Sequence, residues 1–305
     1  MKSVAAIALA LLPAIAFGSV TRARYLMGTI CEITVADSPR AETQIDAAFA
    51  EAQRVENVLS TWRADSELSR LNREGGGRID PELRELLETA ADWSRRTGGA
   101  FNPLVRPLID LWKTRGEGAV PGNNAIRAAI SRTAIDNLRF EGNTVVLDHG
   151  AQIEEGAFGK GYAIDRMMGV LRGLGAKSAL INFGGQLAAY GEPREVSIAD
   201  PADRGRPMVP LTLGDESLST SSGSERSFVI AGRQFTHIID PRSGEALPPR
   251  GSVSVVHRSA LVADILSTAL YVMGPEEGAR WAREQGIAAT FITTHGRVMA
   301  ITHER

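Results

Sequence analysis

The apolar segments of this chain do not follow the even strand–helix–strand rhythm that a doubly wound parallel sheet demands, and no other feature restricts the possible folds as much. Ile45, Ala48, Phe49, Ala52, Val55 and Leu59 recur at helical spacing and predict an amphipathic helix. A second helix is expected from Asp80-Pro81 to about Arg96. Asp80 is a capping residue, Pro81 suits a first helical turn, and Thr97-Gly98-Gly99 supplies the stop. A third covers residues 161–174, with Ala163, Met167, Val170, Leu171 and Leu174 on one side, and two more cover residues 260–272 and 275–285. Strands are expected at residues 30–35, 144–147, 178–183, 196–198, 211–213, 228–230 and 252–256. A closing hairpin turns at His295-Gly296. Residues 98–112 read as a helix end followed by an extended, proline-containing stretch. Residues 75–77 read as a loop, and residues 113–124 as a polar loop able to join two lobes. The sum is an α+β fold in one compact mixed α/β catalytic unit.

A hydrophobic content of 43% provides for one large core or two fused lobes. The formal net charge is −2 and no Lys/Arg run occurs, which argues against a nucleic-acid partner. The first residues, MKSVAAIALALLPAIAFG, place Lys2 before an apolar run broken by Pro13, with small residues at Ala16 and Gly18. This pattern predicts a secretory signal peptide over residues 1–18 and a mature domain over 19–305. An uncleaved anchor is the alternative. Ser19 stands where a lipoprotein would need cysteine, so the expectation is a soluble periplasmic or otherwise extracytoplasmic protein. Cys31 is the single cysteine, which excludes an internal disulfide and a multi-cysteine metal site.

Four segments combine glycine, small residues and polar groups beside apolar runs. The first is GGAFNPLVRPLIDLW at 98–112. The second, EEGAFGKGYAID at 154–165, sets glycines that admit a close ligand beside Lys160 at an expected helix start, where free N–H groups favour anions. A phosphate site and a plain strand-to-helix turn both account for it. The third, TSSGSERSFVIAGRQFTHIIDPRSG at 220–244, contains His237 next to an Asp-Pro turn, as a base or as a scaffold. The fourth, ADILST at 263–268, puts Asp264 and Thr268 on one helix face, where two hard oxygens suit Mg²⁺ or Ca²⁺, or cap or brace a buried helix.

In order along the chain, these segments resemble the motifs of the ApbE family, the flavin transferases. Met27-Gly28-Thr29 is similar to its first motif, and Ser60-Thr61-Trp62 through Ser66-Glu67-Leu68 and Asn72 to its second, with Trp62 where the family usually has Tyr. GAFNP at 99–103 is similar to the family's GAFDPT, with Asn102 for Asp. Residues 154–165 resemble DLGGIAKGYAVD, with Glu154 for Asp. Asn182 to Gly185, Thr220 to Gly223, THIIDP at 236–241 and ADILST complete the series.

The resemblance implies a T-fold-like architecture and an enzyme, a FAD:protein FMN transferase. Such an enzyme moves FMN from FAD to a Thr or Ser hydroxyl of an exported or membrane flavoprotein and releases AMP. It further implies that Met27, Trp62, Ala100, Phe101, Asn102, Glu154, Lys160 and Ile238 line the FAD site. The Ala157 carbonyl, Asp264 and Thr268 would hold Mg²⁺, and His237 would be the candidate general base. Membrane electron-transfer complexes are among the implied acceptors. FAD pyrophosphatase activity and non-catalytic FAD binding are the competing readings, and the intact ADILST and THIIDP segments favour an enzyme.

Overall fold

The computed structural model describes residues 18–224, 227–230 and 232–302. Residues 1–17, which hold nearly all of the expected signal peptide, lie outside the described residues. The fold opens on a hairpin: β1 (Val20–Leu26) and β2 (Thr29–Ala36) are joined by Met27-Gly28, both at positive φ, 46° and 77°. That is the backbone of a tight primed turn, whose twist matches the flanking strands.

Next come α1 (Ala41–Leu59), α2 (Glu67–Glu74), β3 (Gly76–Arg78) and α3 (Pro81–Arg96). The predicted stripe of α1 is buried throughout. Asp80 caps α3 as expected, accepting the Leu83 N–H at 2.7 Å, with Pro81 in the first turn. The chain continues through α4 (Arg106–Trp112), α5 (Asn123–Arg132), β4 (Leu138–Glu141), β5 (Thr144–Leu147) and α6 (Gly159–Gly173). A run of strands follows: β6 (Ser178–Phe183), β7 (Gln186–Tyr190), β8 (Arg194–Ala199), β9 (Pro207–Leu213), β10 (Ser217–Ser222), β11 (Ser227–Ile230) and β12 (Arg233–Thr236). The last elements are β13 (Ile239–Asp240), β14 (Glu245–Ala246), β15 (Ser252–His257), α7 (Ala260–Glu284), β16 (Ala288–Ile292) and β17 (Val298–Ile301).

Eight strands form the central sheet in the order β1-β2-β6-β7-β10-β15-β16-β17, and every neighbouring pair is antiparallel. The register sets Cys31 opposite Phe183 and Ile33 opposite Ile181. All four are fully buried and face the layer formed by α1, α6 and α7. The other face, through Leu180, Leu187 and Leu218, is covered by the β8–β9 hairpin. A third cluster, Leu108, Trp112, Ile126, Phe235 and Ile239, packs α4 and α5 against β12 and β13. The α+β expectation holds.

Several local expectations do not. β1 was not anticipated, because VTRARYL carries two arginines and is exposed along most of its length. Residues 106–112 are helical rather than extended, with Pro107 tolerated in the first turn. Gly76 and Gly77 lie in β3 rather than in a loop. The two helices expected over 260–285 form one element, α7, broken by non-helical Gly274 before Pro275. In α6 the expected stripe ends early: Leu174 follows the last helical residue and is 36% exposed.

Burial pushes the Cys31 thiol up to about 12, so it remains protonated at any ordinary pH. Iodoacetamide at pH 8 is expected to leave the native protein unlabelled and to label it stoichiometrically in urea. Rapid native labelling would contradict this packing of β2.

Candidate active site

The site grows from the contact between α6 and α7. Gly161, in the first turn of α6, lies so close to α7 that an added Cβ would stand 2.3 Å from the Ala260 carbonyl oxygen. Only glycine permits this approach. The Gly161 N–H, one of the orphan donors of a helix start, donates to Asp264 Oδ2 at 3.0 Å. A second fastening lies one helical turn on. Asp165 of α6 accepts the Ala260 N–H at 2.7 Å, the Leu261 N–H at 3.0 Å and the Ser259 hydroxyl at 2.7 Å. Ser259 in turn accepts the Val262 N–H at 3.3 Å. A carboxylate from one helix thus caps the positive end of the other.

These ties place Asp264 among hydroxyls from β10. Ser219 Oγ donates to Asp264 Oδ1 at 3.4 Å and lies 3.2 Å from Ser267 Oγ. Ser221 Oγ lies 2.9 Å from Ser267 Oγ and 3.2 Å from Thr268 Oγ1. Asp264 and Thr268 therefore meet in one pocket of hard oxygens, as their spacing suggested. This donor set suits Mg²⁺. Among the described residues no cluster of three or more Asp, Glu, His or Cys groups could hold a metal. The oxygens here come from one carboxylate and from hydroxyls, so an ion would need anionic oxygens from a ligand to complete its shell.

At the start of α6 several of the residues expected to line a nucleotide gather. Lys160 stands in the first turn, half-buried, as predicted. Met27, in its left-handed conformation, reaches across so that a Cβ on Gly159 would meet its Cε at 3.5 Å. A long side chain at positive φ is uncommon and often marks function. The Glu154 N–H donates to the Pro103 carbonyl at 2.8 Å, joining the 98–104 segment to the site. Ala100 and Phe101 are buried, and Phe101 meets Phe158 edge-to-face at 6.3 Å. Their side chains belong to the core. Asn102 accepts the Leu104 N–H and donates to the Thr133 carbonyl, both at 2.8 Å. Aspartate could make the first bond but not the second.

Glu154 and Glu155 form a buried acidic pair against Thr61. The Thr61 N–H donates to Glu155 at 3.0 Å and its hydroxyl donates to Glu155 at 2.6 Å. Arg115 Nη2 sits 2.6 Å from both Glu154 oxygens, and Arg106 lies 3.4 Å from one of them. Burial, and then the Glu154 charge, raise the Glu155 carboxyl well above the ordinary range. Glu155, Arg115, Asp165, Ser219 and Ser221 were not singled out by sequence reasoning. Glu155, Asp165 and Ser221 lay inside segments already under suspicion; Arg115 and Ser219 did not.

Ile238 is buried in the main core and His237 beside it is half-buried. The link between β12 and β13 that carries them is locked by Thr236 N–H to Leu247 O at 2.8 Å and Leu247 N–H to Ile238 O at 2.9 Å. Gly223, ending the β10 motif, packs on Thr236 and Tyr271. The THIIDP and TSSG segments are therefore neighbours, and Arg242 ties the Asp240 turn to Glu277 of α7 at 3.0 Å.

The model of the ApbE family matches residues 27–291, which span every segment of this site. The chain belongs to the ApbE family. A Treponema pallidum (strain Nichols) relative named FAD:protein FMN transferase is 33% identical over 92% of this chain and 86% of its own length. A relative of the same name from Klebsiella pneumoniae (strain 342) is 31% identical over 87% of this chain and 86% of its own. The apo crystal structure of the Pseudomonas stutzeri flavinyl transferase ApbE superposes with a TM-score of 0.84 at 28% identity, covering 96% of this chain and 97% of that one. The ApbE protein from Thermotoga maritima gives a TM-score of 0.87 at 25% identity, covering 94% and 97%.

Within this ApbE fold, Asp165→Ala removes the charged acceptor that caps α7 and is expected to cost about 2 kcal/mol of stability. Asp165→Asn, which keeps one acceptor oxygen, is expected to fall in between. Urea unfolding checks both, and an unchanged midpoint in Asp165→Ala would remove the cap from the account.

Proposed function

We propose that this ApbE-family transferase moves FMN from FAD onto a Thr or Ser hydroxyl of another protein and releases AMP. The observation that carries the reading is the meeting at the α6 start of two different surfaces. One is a nucleotide-facing set, Met27, Lys160 and the 154–159 turn; the other is the oxygen pocket of Asp264 and Thr268, joined to it by the Gly161 N–H. A FAD pyrophosphate needs both positive charge and hard-oxygen metal ligation at one place.

Each of this chain's residues then has a task. Lys160 and the positive end of the α6 dipole attract the pyrophosphate. Met27 and Trp62 offer apolar and aromatic surface to a ring system. Asp264, Thr268 and the Ala157 carbonyl would hold Mg²⁺, which when bound would neutralise phosphate charge and orient the attacked phosphorus. A ring nitrogen of His237 would take the proton of the acceptor hydroxyl as its oxygen attacks the FMN-side phosphorus and the bond to AMP breaks. Positioning and charge compensation supply most of such a barrier reduction. An extracytoplasmic workplace also belongs to this proposal, supported by Lys2, the apolar run and the small residues at Ala16 and Gly18. Protein recovered from the periplasm is expected to begin near residue 19, and a chain retaining Met1 in the cytoplasm would sink this part.

Incubation with FAD, Mg²⁺ and candidate exported flavoproteins is expected to add one FMN mass to the acceptor and release one AMP. AMP release with no acceptor mass gain would favour a pyrophosphatase, and FAD retention with no AMP would favour a binding protein. His237→Ala is expected to bind FAD as tightly as wild type while transfer slows by roughly 10²- to 10⁴-fold, the usual contribution of a placed base. Joint loss of FAD affinity and stability would assign His237 to bracing the Asp240 turn instead.

A further inference from the structure

Among the described residues β1 is one edge of the central sheet, and residues 21–25 are all exposed. The phase of the β1–β2 ladder fixes which backbone groups face outward. Leu26 and Thr29 close the two-residue turn, so the hydrogen-bonded pairs are Leu26–Thr29, Arg24–Cys31 and Arg22–Ile33. The Ile30 carbonyl agrees with this phase, because it accepts the Gly184 N–H at 3.0 Å on the β6 side. The N–H and C=O groups of Thr21, Ala23 and Tyr25 therefore point away from β2. Arg22 takes the Thr21 carbonyl at 2.7 Å, which leaves Ala23 and Tyr25 as the open rungs.

Edge strands are ordinarily protected by outward charge, proline or a bulge. β1 contains no proline, and VTRARYL pairs with β2 over seven residues without interruption. Its two arginines lie on the face toward α1, where Arg22 pairs with Glu42, Arg24 pairs with Asp46 at 2.5 Å, and Arg24 covers the Phe49 ring. The opposite face carries the cross-strand pair Tyr25–Ile30, 70% and 55% exposed. β6 sets no side chain beside Ile30, because Gly184 stands there. Further along this face the β8–β9 hairpin covers the sheet.

This open edge ends at the site. The Met27-Gly28 turn reaches the α6 start, and Met27 is two residues beyond Tyr25, roughly 7 Å along the strand. The other sheet edge, β17, is separated from β1 by six strands. A transferase that modifies a protein must hold a stretch of that protein at the mouth of its nucleotide site. We propose that an extended segment of the acceptor protein adds to β1 as a further strand, lays an apolar side chain on Tyr25 and Ile30, and carries its Thr or Ser past Met27 to the flavin nucleotide. Main-chain bonds to Ala23 and Tyr25 supply affinity in this pairing, and the Tyr25–Ile30 surface supplies side-chain preference. This rests on the FMN-transfer reading above.

The test uses, as acceptor, an exported flavoprotein that gains FMN mass in the assay above. Wild type is compared with Ala23→Pro, with Ala23→Ser and with a double variant, Tyr25→Ser plus Ile30→Ser. Proline at an edge position whose N–H faces outward removes one open donor and keeps the β1–β2 ladder. Ala23→Pro and the double variant are each expected to raise KM for the acceptor roughly tenfold, the scale of one interface hydrogen bond or apolar contact. FAD affinity and kcat at saturating acceptor should match wild type, and Ala23→Ser, which keeps the N–H, should match it throughout. Unchanged acceptor KM in either altered variant, with native circular dichroism, would overturn the proposal. Weakened FAD binding together with the raised KM would also overturn it, by assigning the effect to a displaced Met27 turn. A wild-type dimer in sedimentation velocity that Ala23→Pro dissociates would overturn it by giving the edge to a second copy of this chain. Where Ala23→Pro fails to fold, the double variant decides. Failure of every candidate flavoprotein to gain FMN mass would instead overturn the functional reading on which the docking rests.

Discussion

The close packing of α6 on α7 is the constraint on which the rest of the structure depends. Gly161 lets the helices touch, its N–H fixes Asp264, and Asp165 holds the first turn of α7 by three hydrogen bonds. α6 brings the 154–160 turn with Lys160 and α7 the oxygen pocket, so the packing of the two helices sets how the turn and the pocket lie against each other. The central sheet supplies the base: β10 contributes Ser219 and Ser221 from the face that packs under α7. A shift of one residue in the β10–β15 pairing would turn those hydroxyls to the opposite face.

Much of this was legible from the sequence where the signal is local. The Asp80-Pro81 helix start, the stripe of α1 and the spacing of Asp264 and Thr268 each depend on residues within a few positions of one another. β1 was not legible, because its pairing with β2 rests on a tight turn made by Met27-Gly28 rather than by an Asn-Gly signature. α4 was hidden by Pro107, whose fixed φ serves a first helical turn as well as an extended segment.

The site divides along the same line. Lys160 at a helix start and the Asp264 pocket were visible as types and spacings. The contacts of Arg115 were not, because its partners Thr61 and Glu154 lie 54 and 39 residues away in sequence. Glu155 lay inside the 154–165 segment, but nothing local told its buried carboxyl from a surface charge. Asn102 stands where the resembled motif has Asp, and its amide gives the loop a link to the end of α5. Long-range polar contacts of this kind leave no periodicity to detect.

The oxygen pocket contains one carboxylate, and that has a thermodynamic consequence. On the proposed function, a divalent cation there would retain positive charge and lack ligands until an anionic nucleotide arrived, while a nucleotide arriving first would meet only Lys160 and the positive end of α6. Each then raises the affinity of the other by the same factor, as linkage requires. Occupancy by the two ligands would thereby be coupled, each favouring the binding of the other.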